Sequence, residues 1–224
     1  MALVVTLLGG ESTGKTTLAH ALAGALARQG VAAAHVPEHL RTWCEQHGRA
    51  PRADEQAALA DEQARRTDLA ARDAATQIVI ADTSPLMVAI YSELYFNDSS
   101  LVAPAVTWQR GVDLTLVMGL DLPWVADGLF RDSAAVRDAT DARLRVHLQA
   151  ANIPFQSVFG QDAARTRQAL RAVGRLLGQD LTDTDPAWIH GRHAWRCDTC
   201  SDPDCEHRLF STLIDRPTAG TKTP

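Results

Sequence analysis

Residues 9–16 of the chain are Gly9-Gly10-Glu11-Ser12-Thr13-Gly14-Lys15-Thr16, which fit the pattern G-x-x-x-x-G-K-T. This pattern predicts a phosphate-binding loop (P-loop), whose backbone N–H groups surround phosphate. The flanking sequence agrees with that interpretation. Residues 2–8 are apolar and rich in β-branched side chains, which favours a buried parallel strand. Residues 17–28 are rich in Ala and Leu, which favours a helix whose N-terminus attracts anions.

The residues of the loop have separate predicted roles. Gly9 and Gly14 allow the backbone to turn tightly. Lys15 is expected to place its charge on the β- and γ-phosphates, and the Thr16 hydroxyl to ligate Mg²⁺. The alternative is a glycine-rich turn that binds nothing, but such a turn does not require the strand, the Lys-Thr pair and the helix together. The predicted nucleotide-binding residues are Gly9, Gly10, Glu11, Ser12, Thr13, Gly14, Lys15, Thr16 and Thr17.

Length and composition limit the class of protein. The chain has 224 residues, a formal net charge of −5 and 46% hydrophobic residues, which suits one α/β domain with a small extension. The slight acidity does not support nucleic acid or an anionic membrane as the partner. No apolar stretch approaches the roughly 20 residues that a membrane helix needs, and we find no signal peptide. We therefore expect a cytoplasmic protein that binds small molecules. The composition is compatible with either a monomer or a homo-oligomer.

Strand and helix patterns alternate along the chain. Strands are predicted at 2–8, 31–36, 77–82, 113–118 and 153–159, and helices at 17–28, 53–75, 84–96, about 133–151 and 161–177, with a partly helical connection at 97–112. Such alternation predicts a doubly wound, five-stranded parallel sheet, here of the P-loop NTPase type. Ligands of these sheets bind outside the carboxyl ends of the strands. The predicted kinase-type domain covers residues 1–178, and a C-terminal extension covers residues 179–224.

Two acidic residues follow predicted strands. Glu38 follows the second strand and Asp82 ends the third, so both are expected to face solvent and to point toward the P-loop. Ile-Val-Ile-Ala-Asp resembles a Walker B strand, which favours Asp82 for holding Mg²⁺. Glu38 is then predicted to accept the proton of an attacking hydroxyl or to bind substrate. The alternative is that Glu38 and Arg41 merely form a surface ion pair on the first turn of a helix.

The segment 121–131 is expected to act as a lid. Phosphoryl transfer requires that water be excluded and that positive charge lie over the transferring group, and Arg131 and Arg137 are the candidates for that charge. Trp124 is predicted either to stack on a flat ring or to anchor the loop to the core. Asp127 precedes a glycine, which suits a turn that presents a carboxylate.

Three cysteines and a histidine lie close together near the C-terminus, in the spacing C-x₂-C-x₄-C-x-H: Cys197, Cys200, Cys205 and His207. Three thiolates and an imidazole are a suitable tetrahedral ligand set, which predicts a structural zinc site in the extension. The alternatives are His190 or His193 in place of His207, a redox dithiol at Cys197 and Cys200, or unliganded thiols. Cys44 lies far away in sequence, and we predict that it is a buried apolar residue in a helix.

Four segments carry a family resemblance: residues 9–18 (GGESTGKTTL), 37–41 (PEHLR), 81–83 (ADT) and 122–131 (LPWVADGLFR). They resemble the ribosylnicotinamide kinase domain of the bifunctional NAD-biosynthesis regulator and its stand-alone AAA-type ATP-binding relatives. The resemblance covers about residues 1–178, and the last segment is its most specific part. The chain has no counterpart of that regulator's adenylyltransferase and DNA-binding domains.

The resemblance implies a reaction and a substrate site. The reaction is ATP-dependent phosphorylation of the 5′-hydroxyl of nicotinamide riboside with Mg²⁺. The implied substrate-binding residues are Glu38, Arg41, Asp82, Trp124 and Asp127, and the predicted catalytic residues are Lys15, Glu38, Asp82 and Arg131. The alternative is a regulatory ATP-binding protein whose nucleotide state controls a partner. The chain contains no Asn-Lys-x-Asp segment that would read guanine, which favours ATP in both cases.

Overall fold

In the computed structural model, which describes residues 1–125 and 133–182, five strands form one sheet. The strands are β1 (Leu3–Leu8), β2 (Ala33–Val36), β3 (Ile78–Asp82), β4 (Leu114–Met118) and β5 (Gln156–Val158). Their order is β2-β3-β1-β4-β5, and every neighbouring pair is parallel. The predicted doubly wound parallel sheet is confirmed.

Helices connect the strands. They are α1 (Lys15–Arg28), α2 (His39–His47), α3 (Gln56–Arg72), α4 (Pro85–Phe96), α5 (Val102–Gln109), α6 (Ala134–Ala150) and α7 (Asp162–Leu177), and a 3₁₀ helix at Ala53–Glu55 precedes α3. Within the described residues, no helix combines the length and the apolar character needed to cross a membrane.

Two apolar clusters hold the helices against the two faces of the sheet. On one face, Leu22 of α1 and Val173 of α7 pack with Val5 of β1, and all three are fully buried. On the other face, Ile90 of α4 and Leu144 of α6 are fully buried in a second cluster. Each buried side chain of this size contributes about 1.5–3 kcal/mol relative to an exposed one. The burial of β1 and β3 on both faces explains their nearly continuous apolar sequences.

Several element boundaries differ from the predicted ones, and three of the differences have a clear physical reason. Helix α1 begins at Lys15, because the last residues of the P-loop already form its first turn, with Gly14 as N-cap. The single helix predicted at 53–75 is divided, since the chain turns as a 3₁₀ helix at Ala53–Glu55 before α3 begins. Strand β5 has only three residues, and Pro154 before it has no N–H to offer a sheet.

The described residues belong to one compact unit, Met1–Asp183. In this unit the carboxyl ends of the strands meet at one edge of the sheet. Leu7 near the end of β1 lies opposite Asp82 at the end of β3, and Leu8 lies opposite Val117 of β4. The P-loop leaves β1 at that edge, so the groups that follow β2, β3 and β4 can reach it.

Candidate active site

The P-loop connects β1 to α1 and is held by bonds within itself. The Lys15 side chain is buried, and its Nζ donates to the carbonyl oxygens of Gly9 at 2.9 Å and Gly10 at 3.1 Å. The Thr13 hydroxyl also donates to the Gly10 oxygen, at 2.7 Å. These bonds place the ammonium group inside the curve of the loop, where a bound phosphate chain would need its charge.

Two glycines of the loop are required by the backbone and its neighbours. Gly14 has φ 77°, in the left-handed region where a side chain is strained. A Cβ on Gly10 would lie 3.0 Å from the carbonyl oxygen of Arg137 in α6, so glycine permits this close approach of helix to loop. Part of the P-loop pattern therefore reflects packing as well as phosphate binding.

Asp82 and Thr16 meet at the end of β3. The Thr16 hydroxyl donates to Asp82 Oδ2 at 2.5 Å, so the two residues predicted to ligate Mg²⁺ lie next to each other. Asp82 is only 1% exposed, and its Oδ1 is buried without a hydrogen-bond partner among the described residues. The expectation that Asp82 faces solvent was wrong, because β3 lies between β1 and β2 and is covered by helices. Carboxylate and hydroxyl oxygens are ligands that Mg²⁺ prefers. The buried Oδ1 of Asp82 is an oxygen that could ligate a metal ion beside Thr16.

The residue after Asp82 has an unusual backbone. Thr83 has φ 91°, which is rare and strained for a β-branched residue. Its N–H donates to the Leu7 oxygen of β1 at 3.1 Å, so the turn is tied to the strand that leads into the P-loop.

A buried hydrogen-bond network supports the same turn. Gln109 of α5 is fully buried, and its Nε2 donates to the hydroxyls of Thr6 and Thr115, each at 2.9 Å. Its Oε1 accepts from the Ser84 hydroxyl at 2.6 Å, and Ser84 is the N-cap residue of α4. The network joins β1, β4 and two helices, so it fixes the backbone that presents Asp82. No pattern in the sequence around Gln109 indicated this role.

Glu38 is the N-cap residue of α2 and is largely buried. Only 14% of its side chain is exposed, and its Oε2 lies 4.0 Å from Nε of Arg41, whose side chain is 49% exposed. Burial raises the pKa of Glu38, the positive charge of Lys15 lowers it, and the negative charge of Asp82 raises it again. The ion pair considered as an alternative is present. The expectation that Glu38 faces solvent was wrong, because most of its side chain is buried, and the charges of Lys15 and Asp82 both act on its carboxylate.

Tyr91 of α4 belongs to the apolar core cluster under α4, and the charges of the acids act on it. It is buried, and burial raises the pKa of its hydroxyl well above 10, with further increases from the charges of Glu38 and Glu11. The phenol therefore lies within electrostatic reach of both carboxylates. Its position in an apolar helix indicated only that Tyr91 is a core residue, because the two carboxylates, Glu38 and Glu11, come from other segments of the chain.

The described part of the loop after β4 lies against the P-loop. The Ser12 hydroxyl donates to the Val125 oxygen at 2.9 Å and accepts from the Val125 N–H at 3.2 Å. Arg137 is 9% exposed, and its Nη1 donates to the Leu122 oxygen at 2.9 Å. Arg137 thus binds the loop backbone, and this hydrogen bond would have to break before its charge could lie over a transferring group. Trp124 is partly buried, and its Nε1 finds no acceptor among the described residues.

A cleft of about 700 Å³ opens beside the P-loop. It lies between α1, the loop after β4 and the start of α7, and its walls include Gly14, Thr17, Pro123 and Gln161. Small-molecule sites typically have volumes of about 300–1,000 Å³, so the cleft is large enough for the base and ribose of a nucleotide.

Several predicted site residues lie outside the described residues: Asp127, Arg131, Cys197, Cys200, Cys205 and His207, together with His190 and His193. Within residues 1–125 and 133–182, no group of three or more His, Cys, Asp or Glu side chains is arranged to hold a metal ion. The zinc site therefore stays a prediction. Cys44 is 5% exposed in α2, as predicted, and burial raises the pKa of its thiol.

Comparisons with known proteins agree with this fold. A family model described as an AAA domain matches residues 4–165. A crystal structure of NadR protein in complex with NR has a TM-score of 0.68 and 24% identity, over 82% of this chain and 54% of that chain. A crystal structure of NadR protein in complex with NAD and AMP-PNP has a TM-score of 0.63 and 23% identity, over 79% of this chain and 50% of that chain.

These similarities have a defined extent. The chain spans about half the length of either NadR chain, and at such identities the likeness shows a common fold. The neighbours agree with the family resemblance predicted from the four sequence segments. No curated protein sequence matches the chain.

Proposed function

The chain belongs to the AAA-domain family, and from this premise we propose that it is an ATP-dependent kinase that phosphorylates the 5′-hydroxyl of nicotinamide riboside. The observation that carries the proposal is a pair of acids, the buried Asp82 and the largely buried Glu38, whose charges interact with each other beside the P-loop residues Lys15 and Thr16. A loop that only binds nucleotide needs one acid for the metal ion. A second buried acid next to it supports transfer to an acceptor.

The nucleotide side of the proposed reaction uses the P-loop. The Lys15 ammonium and the N–H groups at the start of α1 would bind the β- and γ-phosphates. Thr16 and the unpartnered Oδ1 of Asp82 fit Mg²⁺, which when bound would neutralise charge on those phosphates. The cleft lined by Thr17 and Pro123 would take the adenosine.

Glu38 is the proposed general base. Its carboxylate would take the proton of the acceptor's 5′-hydroxyl while that oxygen bonds to the γ-phosphorus and the bond from phosphorus to the β–γ bridging oxygen breaks, releasing ADP. The raised pKa of Glu38 makes its carboxylate a stronger base than an exposed glutamate. Positioning of the two substrates would supply most of the remaining rate enhancement.

The charges near Glu38 support a cationic acceptor. Glu11 and Glu38 both act on Tyr91, so two carboxylates and an aromatic side chain lie on this side of the P-loop. Nicotinamide riboside carries a positive pyridinium ring, which carboxylates attract and on which an aromatic ring can pack. One NadR structure is in complex with NR and the other is in complex with NAD and AMP-PNP, which supports nicotinamide-type and adenine-nucleotide ligands here. Arg41 and Trp124 are proposed to complete the acceptor site.

The test is acceptor-dependent release of ADP from the full chain with Mg²⁺. The panel contains nicotinamide riboside, its 5′-deoxy analogue, uridine and adenosine, with the product mass and phosphate position determined by spectrometry and NMR. We expect turnover with nicotinamide riboside and none with the 5′-deoxy analogue, and the variant Glu38→Gln serves as the control for the base. ATP binding without release of ADP for any acceptor would refute the kinase and favour the regulatory alternative.

A further inference from the structure

A buried guanidinium group joins three segments that meet at the nucleotide cleft. Arg165 of α7 is 4% exposed. Its Nε donates to the Gly160 oxygen at 2.8 Å, its Nη2 donates to Asp121 Oδ1 at 2.5 Å, and its Nη1 donates to the Thr13 oxygen of the P-loop. The three acceptors belong to the loop after β5, the loop after β4 and the P-loop, so one side chain connects all three.

Asp121 holds this guanidinium in a closed arrangement. Its second oxygen, Oδ2, accepts from the Gly160 N–H at 2.6 Å, so the carboxylate binds both Arg165 and the residue that Arg165 binds. Burial lowers the pKa of Arg165 and the charge of Asp121 raises it, and an arginine stays protonated in either case. A planar guanidinium fixed by several acceptors has little freedom to turn, which a flexible lysine could not reproduce.

The contact with the P-loop sets the orientation of one peptide unit. The described residues contain no cis peptide bond, so C=O of Thr13 and N–H of Gly14 point in opposite directions. The guanidinium also lies close to Gly14, since a Cβ there would be 3.4 Å from Nη1. With the Thr13 oxygen bound to Arg165 on the α7 side, the Gly14 N–H is directed away from α7.

We propose that Arg165 is a positioning residue for phosphate binding: it holds the Thr13–Gly14 peptide so that the Gly14 N–H points at the nucleotide phosphates, and Asp121 keeps the guanidinium in place. The inference rests on the proposed function, because it presumes that the P-loop binds a nucleoside triphosphate. Arg165 also lines the cleft proposed for the adenosine. Binding of tripolyphosphate, which has no adenosine, therefore reports the effect of Arg165 on the backbone of the P-loop.

A purely electrostatic role of Arg165 would predict the opposite effect of Asp121→Asn on nucleotide binding. If Arg165 only supplied positive charge near the phosphates, Arg165→Lys would preserve binding, and Asp121→Asn would strengthen it by removing a negative charge. If Arg165 orients the peptide, Arg165→Lys cannot serve all three acceptors, and Asp121→Asn loosens the guanidinium, so both changes weaken binding. The sign of the Asp121→Asn effect separates the two.

The experiment measures binding of ATP and of inorganic tripolyphosphate by calorimetry, on the full chain with Mg²⁺. The variants are Arg165→Ala, Arg165→Lys and Asp121→Asn, and Arg175→Ala is the control, because Arg175 is an exposed arginine on the same helix. Circular dichroism gives the unfolding temperature of each variant, and binding is measured well below that temperature, where the variant is folded. Asp121→Asn keeps the test valid if Arg165→Ala does not fold.

We expect Kd for both ligands to rise about tenfold or more in Arg165→Ala and about threefold or more in Arg165→Lys and Asp121→Asn, as for loss of a charge-assisted hydrogen bond. KM for ATP should rise while KM for the acceptor stays unchanged, and Arg175→Ala should resemble the wild type. Wild-type affinity in Arg165→Lys, or tighter binding by Asp121→Asn, would overturn the positioning role alone. Failure of the wild-type chain to bind either ligand would instead overturn the proposed function, and this inference with it.

Discussion

Asp82→Asn is expected to reduce turnover about 10²–10³-fold while changing the free energy of unfolding by only about 1 kcal/mol. The substitution keeps the size and shape of the side chain, so no cavity forms at this 1% exposed position. In the wild type Thr16 donates to Asp82 Oδ2 at 2.5 Å. In the variant Thr16 can donate to the amide oxygen of the asparagine instead. The change therefore removes the charge and leaves the packing.

The stability estimate follows from two opposing effects at Asp82. A hydrogen bond to a charged group contributes about 1.5–3 kcal/mol and one between neutral groups about 0.5–1.5 kcal/mol, so the bond from Thr16 loses about 1 kcal/mol. Against this, the variant no longer buries a carboxylate whose Oδ1 has no partner among the described residues. The two effects have opposite signs, so the net change in the free energy of unfolding is about 1 kcal/mol or less.

The effect on turnover has no such compensation. Asp82 is the proposed protein carboxylate on the metal side of the P-loop, and loss of one preorganised electrostatic group costs about 2.7–4 kcal/mol of transition-state stabilisation. The assay compares kcat per folded molecule with the unfolding free energy from urea titration. Asp113→Asn is the matched control, since Asp113 Oδ2 accepts from the Val4 N–H at 2.8 Å at the opposite edge of the sheet and should affect stability alone. Near-normal kcat in Asp82→Asn, or a loss of activity that only follows unfolding, would refute the assignment.

Three further predictions concern other parts of the chain. Lys15→Ala should abolish turnover and weaken ATP binding at least about tenfold, because the ammonium charge is lost from the loop, and unchanged affinity in a folded variant would contradict this. The pKa of Glu38 is raised above its ordinary 4.5, so its contribution to stability is complete below that pH and is lost as pH rises through the raised pKa. Glu38→Gln should therefore be more stable than the wild type at neutral pH, while turnover falls and the acid limb of the pH–rate profile disappears; an unaltered profile would show that another group is the base. The extension should hold one zinc ion that Cys200→Ser loses, and elemental analysis showing no metal in protein with reduced thiols would disprove the site.

The phosphate loop and the sheet could be predicted because their information is local. Residues 9–16 are contiguous, and glycines at positions such as Gly14, with φ 77°, follow from the backbone alone. Strand and helix patterns repeat within short segments, so the five strands were found with small errors at their ends. The rule that ligands bind at the carboxyl ends of parallel strands then brought Glu38 and Asp82 to the loop.

The sequence could not show how buried the acids are or what holds them. Asp82 was expected to face solvent, because a strand end is usually accessible. Only the packing of β3 between β1 and β2, with α1 and α3 against it, buries Asp82. Burial in turn raises the pKa of Glu38, which bears directly on its proposed role. Neither property follows from the residue type or its neighbours in the chain.

The supporting residues were decided by tertiary structure alone. Arg165 binds a carbonyl oxygen 152 positions earlier in the chain, and Gln109 binds a hydroxyl 103 positions earlier. An arginine in an amphipathic helix and a glutamine at a helix end look like surface residues, because nothing in their local sequence records a partner so distant. The sequence alone determined where phosphate should bind, through a short segment with its own backbone preferences. Which side chains hold that segment in shape was decided only when the fold brought distant segments together and buried their polar groups, which must then find partners in the protein.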